Sequence, residues 1–301
     1  MLNAPNRKGA LVMRMNRNDD CWCHSGKKYK YCHLTLDEKV EEFSRMGYIV
    51  PNKKLIKNTE QIEGIRESGR INTLILDEVS EKITAGISTE DINSYIHEIT
   101  IRLGGIPATL GFEGFPKSVC VSINNEVCHG IPSATRYLKD GDIVNIDVST
   151  IYNGYYGDSS RMFCIGEISP ERNNLVETAK NAIDVGLEEV GPWKTLGDMG
   201  QAINDFIKSK GYSVVYQVGG HGIGLEFHED PHVSYVTKRN TEMLLVPGMV
   251  FTIEPMINRG RAEVILDDKN GWTVYTEDGL DSAQWEVMVL ITDKGYEILA
   301  H

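Results

Sequence analysis

A pattern repeated at a spacing of 107 residues limits what this chain can fold into more than any other feature of its sequence. Gly141-Asp-Ile-Val-Asn-Ile-Asp147 returns as Gly248-Met-Val-Phe-Thr-Ile-Glu254, an apolar strand closed by an acid both times. The same offset carries Ser88-x-x-Asp91 onto Thr195-x-x-Asp198, Ile96 onto Ile203, Ile99 onto Phe206 and Gly104 onto Gly211. A helix start, a helix face, a helix stop and a strand held in one register imply duplication of a unit roughly 100 residues long. The halves run over about 58–166 and 167–292. Asp147 and Glu254 then occupy equivalent places, and two acids brought together across a pseudo-twofold axis predict a metal site.

Each half reads as helix, helix, strands. Asn58-Thr59 opens a long helix with Ile71, Leu74, Ile75 and Val79 on its apolar face, and Ser88-x-x-Asp91 caps the next, which carries Ile92, Tyr95, Ile96 and Ile99 at helical spacing. His97 points off that stripe and reads as a surface residue. Ser169-Pro170 supplies an N-cap and first helical residue for the second half. Asn153-Gly154 joins two β-rich runs as a two-residue hairpin turn, which sets Tyr152 opposite Tyr155 and Ser149 opposite Asp158. Asp147 and Asp158 then share one face as diagonal neighbours. The fold class is α+β, a curved antiparallel sheet covered by helices.

Within 301 residues, 41% hydrophobic and 25% charged content is that of a globular protein, and no apolar run of 18 residues spans a membrane. The opening residues lack the apolar stretch of a secretory signal, so retention in the cytoplasm is expected; residues 1–14 show no pattern and read as an extension. The net charge of −12 is segregated: residues 1–57 hold 12 Lys and Arg against 6 Asp and Glu, leaving 19 basic and 37 acidic residues for the remainder. A basic appendage on an acidic body suggests an anionic partner such as RNA or the ribosome.

That appendage contains Cys21-Trp-Cys23-His24-Ser-Gly-Lys-Lys-Tyr-Lys-Tyr-Cys32-His33. In a cytosolic chain, three cysteines within 12 residues followed at once by a histidine point to metal before disulfide. The stretch at 15–33 resembles the SEC-C motif, and the resemblance implies Cys21, Cys23, Cys32 and His33 as ligands of one structural zinc. Residues 34–57, with Pro51 and the basic Lys53, Lys54 and Lys57, read as a linker, and residues 58–301 as the main domain.

Gly219-Gly220-His221-Gly222-Ile-Gly224-Leu-Glu226-Phe227-His228-Glu229 is too glycine-rich for a helix interior, so His221 and His228 sit on strand or loop. Glycines on either side of His221 allow close approach of a ligand. Glu286 is a further acid at the edge of an apolar strand. Asp147, Asp158, His221, Glu254 and Glu286 offer four carboxylates and one imidazole, a set suited to two divalent ions among Mn, Fe(II), Co and Zn. Two such ions activate water, and hydrolysis is the natural reaction class.

From about Ile56 onward the chain resembles the type I methionine aminopeptidases, which have the pita-bread fold. The pieces that carry the resemblance are Gly114-Phe-Pro-Lys-Ser118, Cys128-His-Gly-Ile-Pro132, Asn145-Ile-Asp-Val148, Gly157-Asp-Ser159, Gly220-His-Gly-Ile-Gly224, Phe227-His-Glu229, Thr252-Ile-Glu-Pro255 and Ser282-Ala-Gln284 leading to Glu286. The resemblance implies removal of the initiator methionine from nascent polypeptides, preferentially before a small second residue, by a metal-activated hydroxide. It places the same five residues as metal ligands, with Glu254 also moving the proton, His228 donating to the oxyanion and His129 positioning the scissile amide. It lines the methionine pocket with Phe112, Phe115, Cys120, Phe227 and Trp272, where family members commonly carry tyrosine at the first two positions. Cys128 and Cys164 read as core. A monomer acting in the cytoplasm, without membrane or DNA partners, is expected. Two other readings compete: an X-Pro aminopeptidase or prolidase of the same fold, which would carry a much larger N-terminal domain, and a non-catalytic ribosome or RNA adaptor, which would be expected to have lost metal ligands.

Overall fold

The computed structural model describes residues 15–301; the extension read at 1–14 lies outside the described residues. The chain divides into two compact units at Met46–Gly47.

The first unit is short. An antiparallel bridge between Asp20 and Lys28 closes a turn around Cys21, Cys23 and Tyr29, which are buried together. Helix α1, Leu34–Arg45, follows at once. Its Asp37 accepts hydrogen bonds from Trp22 Nε1 (3.1 Å) and Tyr29 Oη (2.7 Å), so helix and turn brace each other. Residues 34–57 are therefore not a plain linker. The acidic and apolar residues that punctuate its basic ones form α1, and Lys57 at its end is buried.

The second unit has the expected α+β make-up. Helices α2 (Thr59–Ser80), α3 (Thr89–Arg102), α4 (Pro170–Glu188) and α5 (Leu196–Ser209) lie with strands that pair antiparallel throughout. The duplication holds to the residue. α3 and α5 begin and end 107 positions apart, and both open with a capping box, Ser88 with Asp91 and Thr195 with Asp198. The bridge Ser88–Tyr137 returns as Thr195–Leu244. The pair Pro107–Thr150 returns as Val214–Ile257. Gly104 and Gly211 both stop their helices at φ +82°, the left-handed region that suits glycine.

The long strand Ile143–Tyr152 turns at Asn153 (φ +50°) and Gly154 (φ +83°) into Tyr155–Cys164, with Tyr152 opposite Tyr155 and Ser149 opposite Asp158. Two left-handed residues make the mirror-image turn whose twist matches the strands. α2 lies directly on this hairpin: a Cβ on Gly157 would come within 2.7 Å of the backbone of Ser68 and Gly69. Close approach lets buried polar groups on the helix reach the sheet, with Asn72 donating to Ser159 Oγ (2.9 Å) and accepting from Thr150 Oγ1 (2.7 Å). Around them Ile71, Ile75, Val79, Ile92, Ile96, Val121, Val144 and Ile146 form an apolar core.

Several single-residue expectations differ. Leu74 and Tyr95 are exposed, because each sits at the margin of its helix's apolar stripe. His97 is half-buried, with Nδ1 2.9 Å from Ser118 Oγ, so it is no free surface residue. Cys128 is core, but Cys164 is exposed, since it ends its strand where the chain leaves the sheet. Among the described residues no helix is long and apolar enough to cross a membrane.

Candidate active site

Five strands and loops deliver Asp147, Asp158, His221, Glu254 and Glu286 to the floor of one cavity of about 760 Å³. The duplication explains how. In the first half Asp147 faces Ser160 and Ser149 faces Asp158. In the second, Ile253 faces Val287 and Met256 faces Gln284, which carries Glu254 opposite Glu286. Asp147 and Glu254 are thus true counterparts, while Asp158 corresponds to Gln284 and Glu286 to Ser160. The halves meet where Ser160 and Glu286 exchange backbone hydrogen bonds (3.4 and 3.1 Å). Each half supplies two acids, the first from two different rungs of its ladder and the second from a single rung.

Polar neighbours fix these acids. Ser149 Oγ donates to Asp158 Oδ1 at 2.8 Å. Glu254 accepts from Thr252 Oγ1 at 2.7 Å through one oxygen and from Gln284 Nε2 at 3.0 Å through the other. The Glu254 backbone N–H donates to Tyr235 Oη at 2.6 Å. His221 stands with Nδ1 3.0 Å from the Gly222 carbonyl, which accepts the ring proton and leaves Nε2 with its lone pair toward Asp158 Oδ2 and Glu254 Oε1, both 3.7 Å away. Ser149 is placed opposite Asp158 by the hairpin register, but Tyr235, Thr252 and Gln284 carry this arrangement without having been given a role from sequence. Thr252 and Gln284 lie inside the quoted motifs, whereas nothing local marks Tyr235.

Burial pushes the Asp147 carboxyl up to about 7 and Glu254 up to about 8. It lifts Asp158 and Glu286 well above the usual carboxylate range, and the neighbouring acids add to the effect. The same burial, with His228 nearby, lowers His221 to about 3, so its imidazole is neutral. Four crowded carboxylates without a cationic side chain among them, facing a neutral imidazole, fit divalent cations, whose charge offsets the carboxylates' burial and mutual repulsion and is matched by an imidazole already in its ligating, neutral form. Oxygen and nitrogen atoms of Asp158, His221 and Glu286 lie within 4.8 Å of one another.

Above the acids the cavity is lined by all seven residues expected to bind substrate: Phe112, Phe115, Cys120, His129, Phe227, His228 and Trp272. Phe112 meets Phe227 edge-on at 4.8 Å, and Phe115 meets Trp272 at 5.2 Å. His129 adopts φ +56°, a conformation that costs a non-glycine residue about 1–2 kcal/mol. Burial holds it at about 4, and burial lowers His228 as well. Glu113, Tyr156, Gln217 and His232 also line the wall and were not foreseen; His232 reaches it by pairing with His221 across adjacent strands.

In the first unit, His33 Nδ1 lies 3.2 Å from both Cys21 Sγ and Cys32 Sγ, and Cys23 Sγ is 3.5 Å from Cys32 Sγ. Ligands bound tetrahedrally at ~2.3 Å stand roughly 3.8 Å apart. Four soft donors already near that spacing, with no disulfide among them, fit one zinc ion.

Residues 63–293 match metallopeptidase family M24, and residues 17–35 match the SEC-C motif. A methionine aminopeptidase of Chlamydia trachomatis serovar D is 42% identical over 288 residues, covering 95% of this chain and 98% of its own. The crystal structure of methionine aminopeptidase from Rickettsia prowazekii superposes with a TM-score of 0.80 at 40% identity, over 82% of this chain and 99% of that one. An X-Pro aminopeptidase from Thermotoga maritima, at 24% identity and a TM-score of 0.65, shares the fold, and only 64% of its length is matched. The chain therefore belongs to metallopeptidase family M24, on the branch of the methionine aminopeptidases, and carries a SEC-C motif ahead of the peptidase domain.

Proposed function

We propose that this protein removes the N-terminal methionine from nascent polypeptides, preferentially before a small second residue, in the cytoplasm. The observation that carries the reading is the sharing of one cavity by the carboxylate–imidazole cluster and a soft apolar slot of Phe112, Phe115, Cys120, Phe227 and Trp272, sized and polarisable for a thioether.

Asp147, Asp158, His221, Glu254 and Glu286 would hold two divalent ions of Co, Mn, Fe or Zn. When bound, such ions supply Lewis acidity and bring water to a nucleophilic state near neutral pH. The chain's own groups do the rest. Glu254, fixed at both oxygens by Thr252 and Gln284, passes a proton to the leaving amine. His228 donates to the oxygen of the scissile carbonyl as it gains charge, and His129 orients the amide; each contribution is worth about 2–4 kcal/mol in the transition state. The aromatic slot holds the methionine side chain so that the first peptide bond lies against these groups.

Peptide cleavage by chelator-stripped protein, with Mn, Fe(II), Co, Ni and Zn restored singly, tests this on Met-Ala-Ser, Met-Leu-Ser and Ala-Pro-Ser. Release of methionine from Met-Ala-Ser is expected. Cleavage of Ala-Pro-Ser alone would assign the chain to X-Pro hydrolysis, and no cleavage with any metal would leave a binding protein.

The charge segregation supports one extension. The basic SEC-C segment, ordered by zinc at Cys21, Cys23, Cys32 and His33, docks the enzyme on ribosomal RNA. Equal cosedimentation with ribosomes of the full chain and of a chain lacking residues 1–46 would refute it.

A further inference from the structure

The cavity wall at residues 226–228 is held by a charge that the reaction scheme does not use. Lys57, with a side chain only 1% exposed, places Nζ on Glu229 Oε2. The other oxygen of that carboxylate accepts the backbone N–H groups of Leu225 (2.7 Å) and Glu226 (3.1 Å). Glu229 thus closes the turn that carries Phe227 and His228. Their rings stack at 4.4 Å and 16°, and the imidazole of His228 lies 4.3 Å from that of His221.

Lys57 is itself anchored. Its N–H donates to the Gly248 carbonyl at 2.8 Å, and Asn58, which caps α2, follows directly. A lysine at a chain entry ordinarily extends its stem and leaves the ammonium in water. Burying that charge is expensive unless it is paired, and an apolar residue would fill the same space at no such penalty. An apolar residue would not orient a carboxylate 172 positions away toward two backbone donors.

We propose that Lys57 and Glu229 are positioning residues for peptide hydrolysis: the ammonium fixes the Glu229 carboxylate, which sets the Leu225–His228 turn and so presents His228 to the scissile carbonyl. The inference rests on the role proposed above for His228.

The test uses the metal-loaded full chain on Met-Ala-Ser, comparing Lys57→Met, His228→Ala and the double variant, with metal content measured for each. A misplaced transition-state donor predicts that Lys57→Met lowers kcat about 30-fold with KM within about threefold. In the His228→Ala background the same change should lower kcat less than about threefold, because the donor it positions is already gone. Additive losses, or a wild-type kcat for Lys57→Met, would overturn the proposal. Should Lys57→Met not fold, Glu229→Gln, which keeps an acceptor for the turn and removes the charge, replaces it in the same cycle. Hydrogen exchange in the unmodified protein decides independently: the Leu225 and Glu226 amides should be protected about a thousandfold or more, and exchange at open-loop rates would refute the hub. Failure of the functional reading has a separate signature, namely no Met-Ala-Ser cleavage by the unmodified protein with any metal, with the protection of the two amides still readable.

Discussion

Tyr235→Phe removes one oxygen from a fully buried ring, 1% exposed, and leaves the packing of that ring intact. The oxygen accepts the Glu254 backbone N–H at 2.6 Å and is hydrogen-bonded to the Gly220 backbone as well, so it ties together the strand ends that carry Glu254 and His221. Phenylalanine would strand those donors away from water. Each unsatisfied buried N–H costs about 1–3 kcal/mol; because the two share one acceptor, the expected loss is about 2–4 kcal/mol. For a domain of this size that lowers Tm by about 4–8 °C. The backbone of Glu254 would shift to relieve its orphaned N–H, and loss of such outer support typically weakens metal affinity about 10-fold or more. Denaturant melts of the chelator-stripped protein and calorimetric metal titration measure both effects. A stability loss below about 0.5 kcal/mol together with unchanged affinity would show that Tyr235 does not organise the site.

His129→Ala and His228→Ala should each lower kcat/KM about 100-fold while the protein keeps its full metal content, measured by atomic emission; loss of metal would make them ligands. Cys32→Ser should release one zinc per chain and expose residues 17–33 to proteolysis. Because the chain divides at Met46, tripeptide cleavage should stay within about twofold. Burial tends to raise Asp198, but hydrogen bonds from the Thr195 and Asn240 backbones and the Thr195 hydroxyl hold it below its usual value. A depressed folded-state pKa gives stability that is fully present above the unfolded value of about 3.9 and is lost as pH falls through the folded one. Asp198→Asn should therefore destabilise the protein at pH 7, and urea melts should show the difference narrowing as pH falls below about 3.9.

What could be read in the sequence was whatever the repeat or a turn made local. α3 and α5 were visible because a capping box and an apolar stripe recur at a fixed offset. Asp158 was visible because Asn153-Gly154 fixes the register across its hairpin. Glu286 was reached only as an acid at a strand edge, since its counterpart in the first half is Ser160 and the offset that relates Asp147 to Glu254 does not generate it. Tyr235 and Lys57 were invisible for one physical reason: each works through a backbone or carboxylate partner far along the chain, Lys57 at a separation of 172 residues. Charge composition even misdirected the reading of Lys57, because a lysine among lysines before a helix looks solvated. The duplication accounts for the difference in kind. Two equivalent halves place two equivalent acids without further help, but a working centre needs unequal ligands and a wall on one side only. The residues that break the symmetry, Asp158 against Gln284 and Glu286 against Ser160, together with the Lys57–Glu229 clamp, are those that no repeat can announce. They turn a symmetric cleft into a site with a direction, clustered carboxylates in one part of the cavity and an aromatic wall in another.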